Sequence, residues 1–377
     1  KMRTGYADIL IGVRSAVFAP FLDLGLIIMD EEQEYSYKQE ERPSYNARTI
    51  SLKRAQMASI PLLLGSATPD ICTYFHALNG RYQHLHLTKR ANASDMPEVT
   101  IVDMREELQS GNKSVISRKL RESLLETVKR GEQAIVLLNR RGFSTFVMCR
   151  DCGESIMCPH CAVALVYHSA GKALRCHYCG FSLPIPDECP SCHSRKIKYF
   201  GTGTQKAEAA IEELDEEIKI LRMDQDSTAR KFAHEEILHD FAAGKANVLL
   251  GTQMVAKGHD IANVTLVGIL AADSQLNLPD FRAGEKTFNL LTQAAGRAGR
   301  GGKPGHVVLQ TYDADNEIIK LAARQDYDAF AKQELLVREE LLYPPFTQLL
   351  KITIVDRTQN TANVLAQRIV NYLQTIG

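Results

Sequence analysis

Eight of the nine cysteines fall into four Cys-x-x-Cys pairs inside a window of 44 residues, Cys149 to Cys192. The pairs are Cys149/Cys152, Cys158/Cys161, Cys176/Cys179 and Cys189/Cys192. Two residues between thiols let one tight turn offer both to one ion, so eight thiolates make two tetrahedral four-cysteine zinc sites. Gly153 and Gly180, each just after a pair, suit the permissive backbone such turns need. A disulfide framework would need an oxidising compartment, and the ferredoxin-type spacings of iron–sulfur proteins do not match. A closed all-thiolate site has no open coordination position, so the zinc here is structural. Three pairings are open. Sequential pairing must close across five residues, while the fourteen-residue link from Cys161 to Cys176 can form a hairpin. That favours nesting: Cys149, Cys152, Cys189 and Cys192 on one ion, and Cys158, Cys161, Cys176 and Cys179 on the other, with a cross-brace as runner-up. His160, His168, His177 and His193 are expected outside the ligand set, and Cys72 as a small packed hydrophobe.

The 377 residues suggest two or three domains. With 45 Lys+Arg against 45 Asp+Glu, net charge argues for no partner, although a local basic stripe can still bind nucleic acid. A hydrophobic fraction of 45% and a charged fraction of 24% exclude wholesale disorder. The longest apolar stretch, around 264–272, is far short of a membrane span, and no signal peptide is evident. The abrupt opening, Lys1-Met2-Arg3-Thr4-Gly5, reads as part of a longer protein.

Around the cysteines the pattern alternates strand and helix, as in a parallel sheet covered on both faces. Strands are expected at 8–12, 24–29 and 60–64, with a helix over 46–59 and a connector over about 80–113. A second βα series follows: helix 118–130, strand 133–139, the insertion 149–198, helix 205–216, strand 219–221, helix 229–243, strands 247–250 and 264–271, helix 285–297 and strand 306–310. From 312 the pattern changes to two helices, the Tyr343-Pro344-Pro345-Phe346 breaker, a strand at 349–355 and a helix at 360–373. About 50 inserted residues cannot build much core, so a metal-stapled finger projecting from its neighbours is expected, basic at Arg195-Lys196-Ile197-Lys198.

Loops at the C-terminal ends of parallel strands carry function. Asp30 and Glu31 follow one such strand. There one carboxylate can hold Mg2+ and its neighbour can orient water against a phosphate. Gly65-Ser66-Ala67-Thr68 ends the next strand. Gln293, Arg297 and Arg300 are spaced four and three apart, so they are expected on one helix face, where two guanidiniums suit phosphate. Gly251-Thr252-Gln253-Met254 with Lys257-Gly258 follows another strand and suits backbone contact to phosphate or a nucleic-acid strand. Tyr35, Tyr37 and Tyr45, interleaved with Lys38, Arg42 and Arg48, suit base stacking and phosphate contact.

In order, Asp30-Glu31-Glu32, Gly65-Ser66-Ala67-Thr68-Pro69, Gly251 to Gly258 and Gln293-x-x-Gly296-Arg297-x-Gly299-Arg300 resemble motifs II, III, V and VI of superfamily 2 helicases. With eight cysteines inside the second lobe, the whole chain resembles the bacterial replication-restart helicases, the primosomal protein N′ family. Gly12-Val13-Arg14-Ser15-Ala16, Asn139-Arg140-Arg141-Gly142 and Gly201-Thr202-Gly203-Thr204-Gln205 fit the same family.

The resemblance implies an α/β fold of two RecA-like helicase lobes, the first incomplete, with the two-zinc insertion in the second and a small α+β C-terminal domain. The domains are then 1–112 (remainder of lobe 1), 113–148 with 199–311 (lobe 2), 149–198 (zinc insertion) and 312–377 (start of the C-terminal domain). It implies an ATP-dependent 3′–5′ DNA helicase, cytoplasmic and bacterial, that acts at stalled or recombinational forks and assembles the primosome. Asp30 and Glu31 would serve Mg2+ and the attacking water. Gln293, Arg297 and Arg300 would serve the γ-phosphate of ATP, with Gln33 and Gly258 also at the nucleotide. Thr68 would couple the lobes, and Tyr37, Tyr45, Lys38 and Thr252 would couple DNA to hydrolysis. Nested zinc pairing is implied too. The implied partners are forked and single-stranded DNA, primosome proteins and single-stranded-DNA-binding protein. Two departures stand out. Gln33 occupies a position where many members carry His, and no Gly-x-x-x-x-Gly-Lys-[Ser/Thr] phosphate loop occurs in the sequence. The 377 residues therefore read as the distal portion of such an enzyme, inactive alone. The rival reading is a non-enzymatic zinc DNA-binding scaffold with a decayed helicase fold.

Overall fold

The computed structural model describes residues 5, 7–87, 96–138, 145–160, 164–168, 173–176, 179–200, 204–224, 227–228, 233–255, 261–278, 280–299, 302–350 and 352–376. Two compact units are present, 1–334 and 335–377.

The first elements among the described residues are a 3-10 turn over Arg14–Phe18 and strand β1 (Ile27–Met29), then a two-residue ladder of β2 (Lys38–Gln39) and β3 (Tyr45–Asn46). Helix α1 (Ala47–Ala58) is capped by the Asn46 side chain, which accepts from the Arg48 and Thr49 amides. Strand β4 (Leu62–Leu64) runs parallel to β1, and α2 (Ile71–Leu78) is capped by Asp70. The strand expected at 8–12 does not form. Ile9 and Ile11 are exposed and find no ladder partner among the described residues, and a lone apolar strand gains no hydrogen bonds.

The connector expected over 80–113 holds real structure. Strand β5 (Glu98–Asp103) pairs with a later strand, and α3 (Met104–Gln109) follows. The second sheet therefore takes its edge strand from residues assigned on sequence to the first lobe, before the expected boundary at 112. Its Glu-Val-Thr-Ile-Val-Asp sequence lacks the continuous apolar run of a central strand, which hid it.

Helix α4 (Arg118–Lys129) and strand β6 (Gln133–Leu138) come next. The cysteine module follows as β7 (Thr145–Cys149), β8 (Val166–His168), β9 (Ala173–Arg175), β10 (Ser182–Pro184) and β11 (Ile197–Phe200), an antiparallel sheet ordered β10-β9-β8-β7-β11. It is rooted outside the expected 149–198 span, by the β7–β11 ladder. It also has more core than expected: Val147, Ile156, Leu165 and Leu174 are buried together with Cys158 and Cys176.

The chain then returns with α5 (Thr204–Glu212), β12 (Ile220–Met223), α6 (Ala233–Ala242), β13 (Val248–Gly251), β14 (Val264–Leu270), α7 (Ala283–Ala295) and β15 (His306–Thr311). The six-stranded sheet is all parallel in the order β12-β13-β6-β14-β15-β5. Strands β6, β13 and β14 are buried along their whole length, as strands covered on both faces must be. Leu120, Leu124, Val136, Val248, Leu250 and Leu266 form the heart of the core.

Helices α8 (Glu317–Arg324) and α9 (Tyr327–Glu340) follow. The first unit reaches Glu334, so residues 312–334 lie in it and not in the second unit. Phe330 stacks on Phe288 of α7 at 4.2 Å, which explains the attachment. In the second unit α10 (Gln359–Ile376) forms as expected. The described residues of 349–355 form no strand, and Leu350 and Val355 are exposed.

Candidate functional site

The acidic loop sits where β1 ends. The Glu32 amide donates to Gly65 O at 3.1 Å and the Gly65 amide to Met29 O at 2.8 Å, so the two expected strand ends are zipped together. Asp30 and Glu31 are exposed, and Glu31 takes a positive φ of 48° with its amide on Asp30 Oδ1 at 3.0 Å. Gln33 bridges the motifs. Its Nε2 donates to Glu31 Oε2 at 2.6 Å, and its Oε1 accepts from Ser66 Oγ at 2.6 Å. Ser66 Oγ in turn accepts from the Thr68 amide at 2.9 Å. The residue at the His position thus tethers Glu31 to the Ser-Ala-Thr turn with a neutral amide, which donates to the carboxylate and accepts from the hydroxyl.

Glu32 was invisible to sequence reasoning except as part of an acidic run. It is only 3% exposed. Its carboxylate takes Arg48 Nη1 at 2.6 Å, the Asp70 amide at 2.7 Å and Thr73 Oγ1 at 3.1 Å. Burial lowers the Arg48 pKa, but Asp70 and Glu32 outweigh it and hold the guanidinium firmly charged. Arg48 is thereby committed to this internal cluster, not to DNA as expected.

From the second lobe, Gln293 near the end of α7 reaches the acidic loop, with Nε2 3.5 Å from Glu31 Oε2 and 3.4 Å from Glu34 Oε1. The helix stops at Ala295 with Gly296 as C-cap, so Arg297 lies in the following turn and not on the same helix face as Gln293. Gly299 ends that turn at φ +77°, its amide bonded to Val264 O at 3.0 Å, and a Cβ there would meet Gly305 at 2.7 Å. Glycine is required at 299 by this close approach, while the helix itself ends earlier, at the Gly296 C-cap, where the Arg297 and Ala298 amides turn to the i−3 carbonyls of Ala294 and Ala295. Arg300, Gly258 and Lys257 lie outside the described residues, as do Asn139 to Gly142 and Gly201 to Gly203. Thr252 follows β13 with its amide 3.3 Å from Met223 O. A Cβ on neighbouring Gly251 would sit 2.3 Å from that same oxygen.

The aromatic loop is folded onto these parts. Tyr37 OH donates to Asp30 O at 2.8 Å. Burial first, then Asp30, Glu34 and Glu31, push its phenol pKa upward. Tyr35 takes Arg282, Lys286 and Lys38 over its ring at 5.3, 5.2 and 5.7 Å. Arg282 and Lys286, at the start of α7, are shared with Asp280 at 3.1 and 2.5 Å. Burial raises the Asp280 pKa, but those two cations more than reverse it and hold it well below the usual carboxylate range. Tyr45 packs edge-on against Phe18 at 4.9 Å instead of standing free. Arg14 donates to Ser36 O and Lys38 O at 3.0 and 3.1 Å. Tyr35, Tyr37, Lys38, Gln253, Arg282 and Lys286 line part of a cleft of about 210 Å³ between the lobes.

Thr68 is 1% exposed, and its Oγ1 has no hydrogen-bond partner among the described residues. The contacts between the lobes run through the residues just after it. Tyr327 OH donates to Pro69 O at 2.7 Å, the Ile71 amide to Glu285 Oε1 at 3.0 Å, and Tyr74 OH to Asp328 at 2.8 Å. Burial and the Asp328 contact push the Tyr74 phenol up to about 12. No sequence motif flags Glu285, Tyr327 or Asp328.

In the cysteine module the sulfurs of Cys149, Cys152, Cys189 and Cys192 gather within 4.8 Å of one another, as do those of Cys158, Cys176 and Cys179. Cys161 is outside the described residues. The spacings Cys149–Cys192, Cys152–Cys189 and Cys158–Cys179 are 3.5, 3.6 and 3.6 Å. Zn–S bonds of about 2.3 Å at tetrahedral angles require S···S near ~3.8 Å, so the thiols fit the ion. This is the nested arrangement, not the sequential or cross-braced one. Three pairs share one turn: the amides of Gly153, Gly180 and His193 donate to the carbonyls of Cys149, Cys176 and Cys189. All three take positive φ, so His193 fills a position that glycine fills elsewhere. The outer knuckle is docked, not projecting: Arg150 donates to Tyr312 OH at 2.8 Å.

Two parallel-sheet lobes meeting at an acidic strand end, with a thiolate-rich ribbon inserted in the second, define a zinc-bearing helicase core. Comparisons agree. Residues 158–184 match the PriA DNA helicase Cys-rich region domain, and residues 189–302 match the helicase conserved C-terminal domain. Curated relatives named Replication restart protein PriA include those of Bacillus subtilis, Synechocystis and Haemophilus influenzae. They are 51, 43 and 40% identical over 99, 97 and 100% of this chain and 46, 45 and 51% of theirs. Among solved structures, RecG bound to a three-way DNA junction is 15% identical with a TM-score of 0.49, over 93% of this chain and 35% of that one, too distant to bear on function. The chain belongs to the PriA family of replication restart proteins, and it spans about half the length of the curated relatives it matches. Among the described residues no helix is long and apolar enough to cross a membrane.

Proposed function

We propose that the protein containing this chain is an ATP-driven 3′–5′ DNA helicase that acts at stalled or recombinational forks and assembles the primosome. The observation that carries this reading is the approach of Gln293 in one lobe to Glu31 and Glu34 in the other, inside a core bearing the family's cysteine module. Asp30 holds Mg2+ and Glu31 orients the attacking water. Mg2+ supplies charge neutralisation at the phosphates of ATP. Gln293, Arg297 and Arg300 meet the γ-phosphate, with Gln33 fixing the Glu31 carboxylate and Gly258 giving backbone access to the nucleotide. Thr68 couples the lobes. Tyr37, Tyr45, Lys38 and Thr252 connect single-stranded DNA to turnover. The two clusters hold two zinc ions, the inner one with Cys161 as its fourth ligand. Forked and single-stranded DNA, primosome proteins and single-stranded-DNA-binding protein are the partners, and the setting is the bacterial cytoplasm. The scaffold reading is disfavoured by an acidic loop whose hydrogen-bonded frame is intact.

The test is Glu31→Gln in the full-length protein. DNA-stimulated ATP hydrolysis and unwinding of duplexes with a 3′ single-stranded tail should both disappear, with nucleotide binding retained. A wild-type protein that shows no DNA-stimulated hydrolysis would establish the scaffold instead.

A further inference from the structure

Two carboxylates, one from each lobe, grip consecutive amides at the head of α2. Glu32 Oε1 accepts from the Asp70 amide at 2.7 Å, and Glu285 Oε1 accepts from the Ile71 amide at 3.0 Å. Both acids are buried, Glu32 at 3% and Glu285 at 5% exposure, and Ile71 is fully buried. A helix N-terminus presents unsatisfied amides and partial positive charge, so this is where carboxylates bind well. Tyr327 OH on Pro69 O and Tyr74 OH on Asp328 fasten the same short segment to the second lobe.

Each acid is close in sequence to a group of the proposed hydrolytic site. Glu32 adjoins Glu31. Glu285 lies on α7 two turns before Gln293, and residues 285, 289 and 293 share one helix face. At the middle turn of that face, Asn289 Oδ1 has no hydrogen-bond partner among the described residues. Among the described residues, this face hydrogen-bonds the first lobe near its two ends, through Glu285 on α2 and through Gln293 on the acidic loop.

We infer that Glu285 is a positioning residue: by capping α2 across the lobe interface it sets the height and rotation of α7, and so the placement of Gln293 and the following Arg297 turn against Glu31. The head of α2 is the rigid block shared by the two lobes. This rests on the helicase reading above, but the contact itself can be tested apart from activity. Glutamine keeps an acceptor oxygen at Oε1 and alanine removes it.

In the full-length protein with Glu285→Ala, hydrogen exchange at the Ile71 amide should speed up at least tenfold, while the later amides of α2 stay protected. Glu285→Gln should hold exchange within about threefold of wild type. With single-stranded DNA and saturating ATP, Glu285→Ala should lower kcat tenfold or more and leave KM for ATP within about twofold. Glu285→Gln should recover kcat to within about threefold. Tyr327→Phe, which keeps the ring and removes the bond to Pro69, should lower kcat at least threefold and serves if the alanine variant does not fold. Unchanged Ile71 exchange in Glu285→Ala overturns the inference. So does a kcat above one third of wild type, a loss confined to KM, a glutamine variant no better than alanine, or a silent Tyr327→Phe. If the wild type shows no DNA-stimulated turnover, the helicase reading fails, and the exchange measurement alone then decides whether Glu285 holds α2.

Discussion

Gly153 shows how little latitude single residues have where the cysteine module meets the lobe. It sits at φ +80°, and a Cβ there would fall 2.3 Å from Tyr312 O. Gly153→Ala should cost about 1–3 kcal/mol from backbone strain alone. The expected result is a lower melting temperature and weaker retention of the outer zinc under chelator, while Gly180→Ala, where a Cβ meets nothing within 4 Å, loses only the backbone contribution. Equal effects at both positions would remove the docking argument. Tyr37 is the parallel case in the aromatic loop. Tyr37→Phe deletes the bond to Asp30 O and keeps the ring. DNA-stimulated hydrolysis by the full-length protein should fall, with basal hydrolysis retained. Normal stimulation would show that the hydroxyl tether is not needed. The tyrosine-and-cation pattern marked this loop from sequence. Its inward ties, and the commitment of Arg48 to Glu32, could not be seen there because they depend on residues from other elements.

At the scale of elements, the start of α7 and the cysteine ribbon each make a prediction. Asp280 binds Arg282 and Lys286, which cover Tyr35. Its folded pKa lies below its unfolded value, so the unfolded state takes up the proton more readily. The stabilisation is complete above about pH 4 and is lost as pH falls toward the folded pKa. The difference between the melting curves of wild type and Asp280→Asn should therefore be largest at neutral pH, begin to shrink below about pH 4, and keep shrinking as pH falls toward the folded pKa. A gap independent of pH would place the effect in packing. For the ribbon, removing Cys158 and Cys176 together should release one zinc and leave the Cys149, Cys152, Cys189 and Cys192 site loaded. Loss of both metals by elemental analysis would contradict nested pairing.

For the whole molecule, the 377-residue chain should not hydrolyse ATP. It carries the acidic loop and the glutamine–arginine turn, but no Gly-x-x-x-x-Gly-Lys-[Ser/Thr] to cradle the β- and γ-phosphates. DNA-stimulated turnover by this chain above background would refute that.

The sequence by itself determined what is local and periodic. Four Cys-x-x-Cys pairs announced two thiolate clusters, and their spacing favoured the nesting that the sulfur positions show. Apolar runs located β6, β13 and β14, because strands buried on both faces must be apolar throughout. Strand ends placed Asp30, Glu31 and the Ser-Ala-Thr turn in neighbouring loops, since parallel strands end on one side of a sheet. Only the tertiary structure decided what depends on a distant partner. Residues 98–103 become a strand because β15 offers them an edge, while 8–12 are more apolar and form none. Residues 312–334 join the first unit because Phe330 finds Phe288. Helix α7 stops short of Arg297 at Gly296, and the chain tightens into a turn that Gly299 closes against Gly305. Glu32 and Glu285 look like two more surface acids in a neutral chain. They are buried at one helix head because two lobes close over it, and a hydrogen bond spanning 214 positions leaves no periodic trace in the sequence.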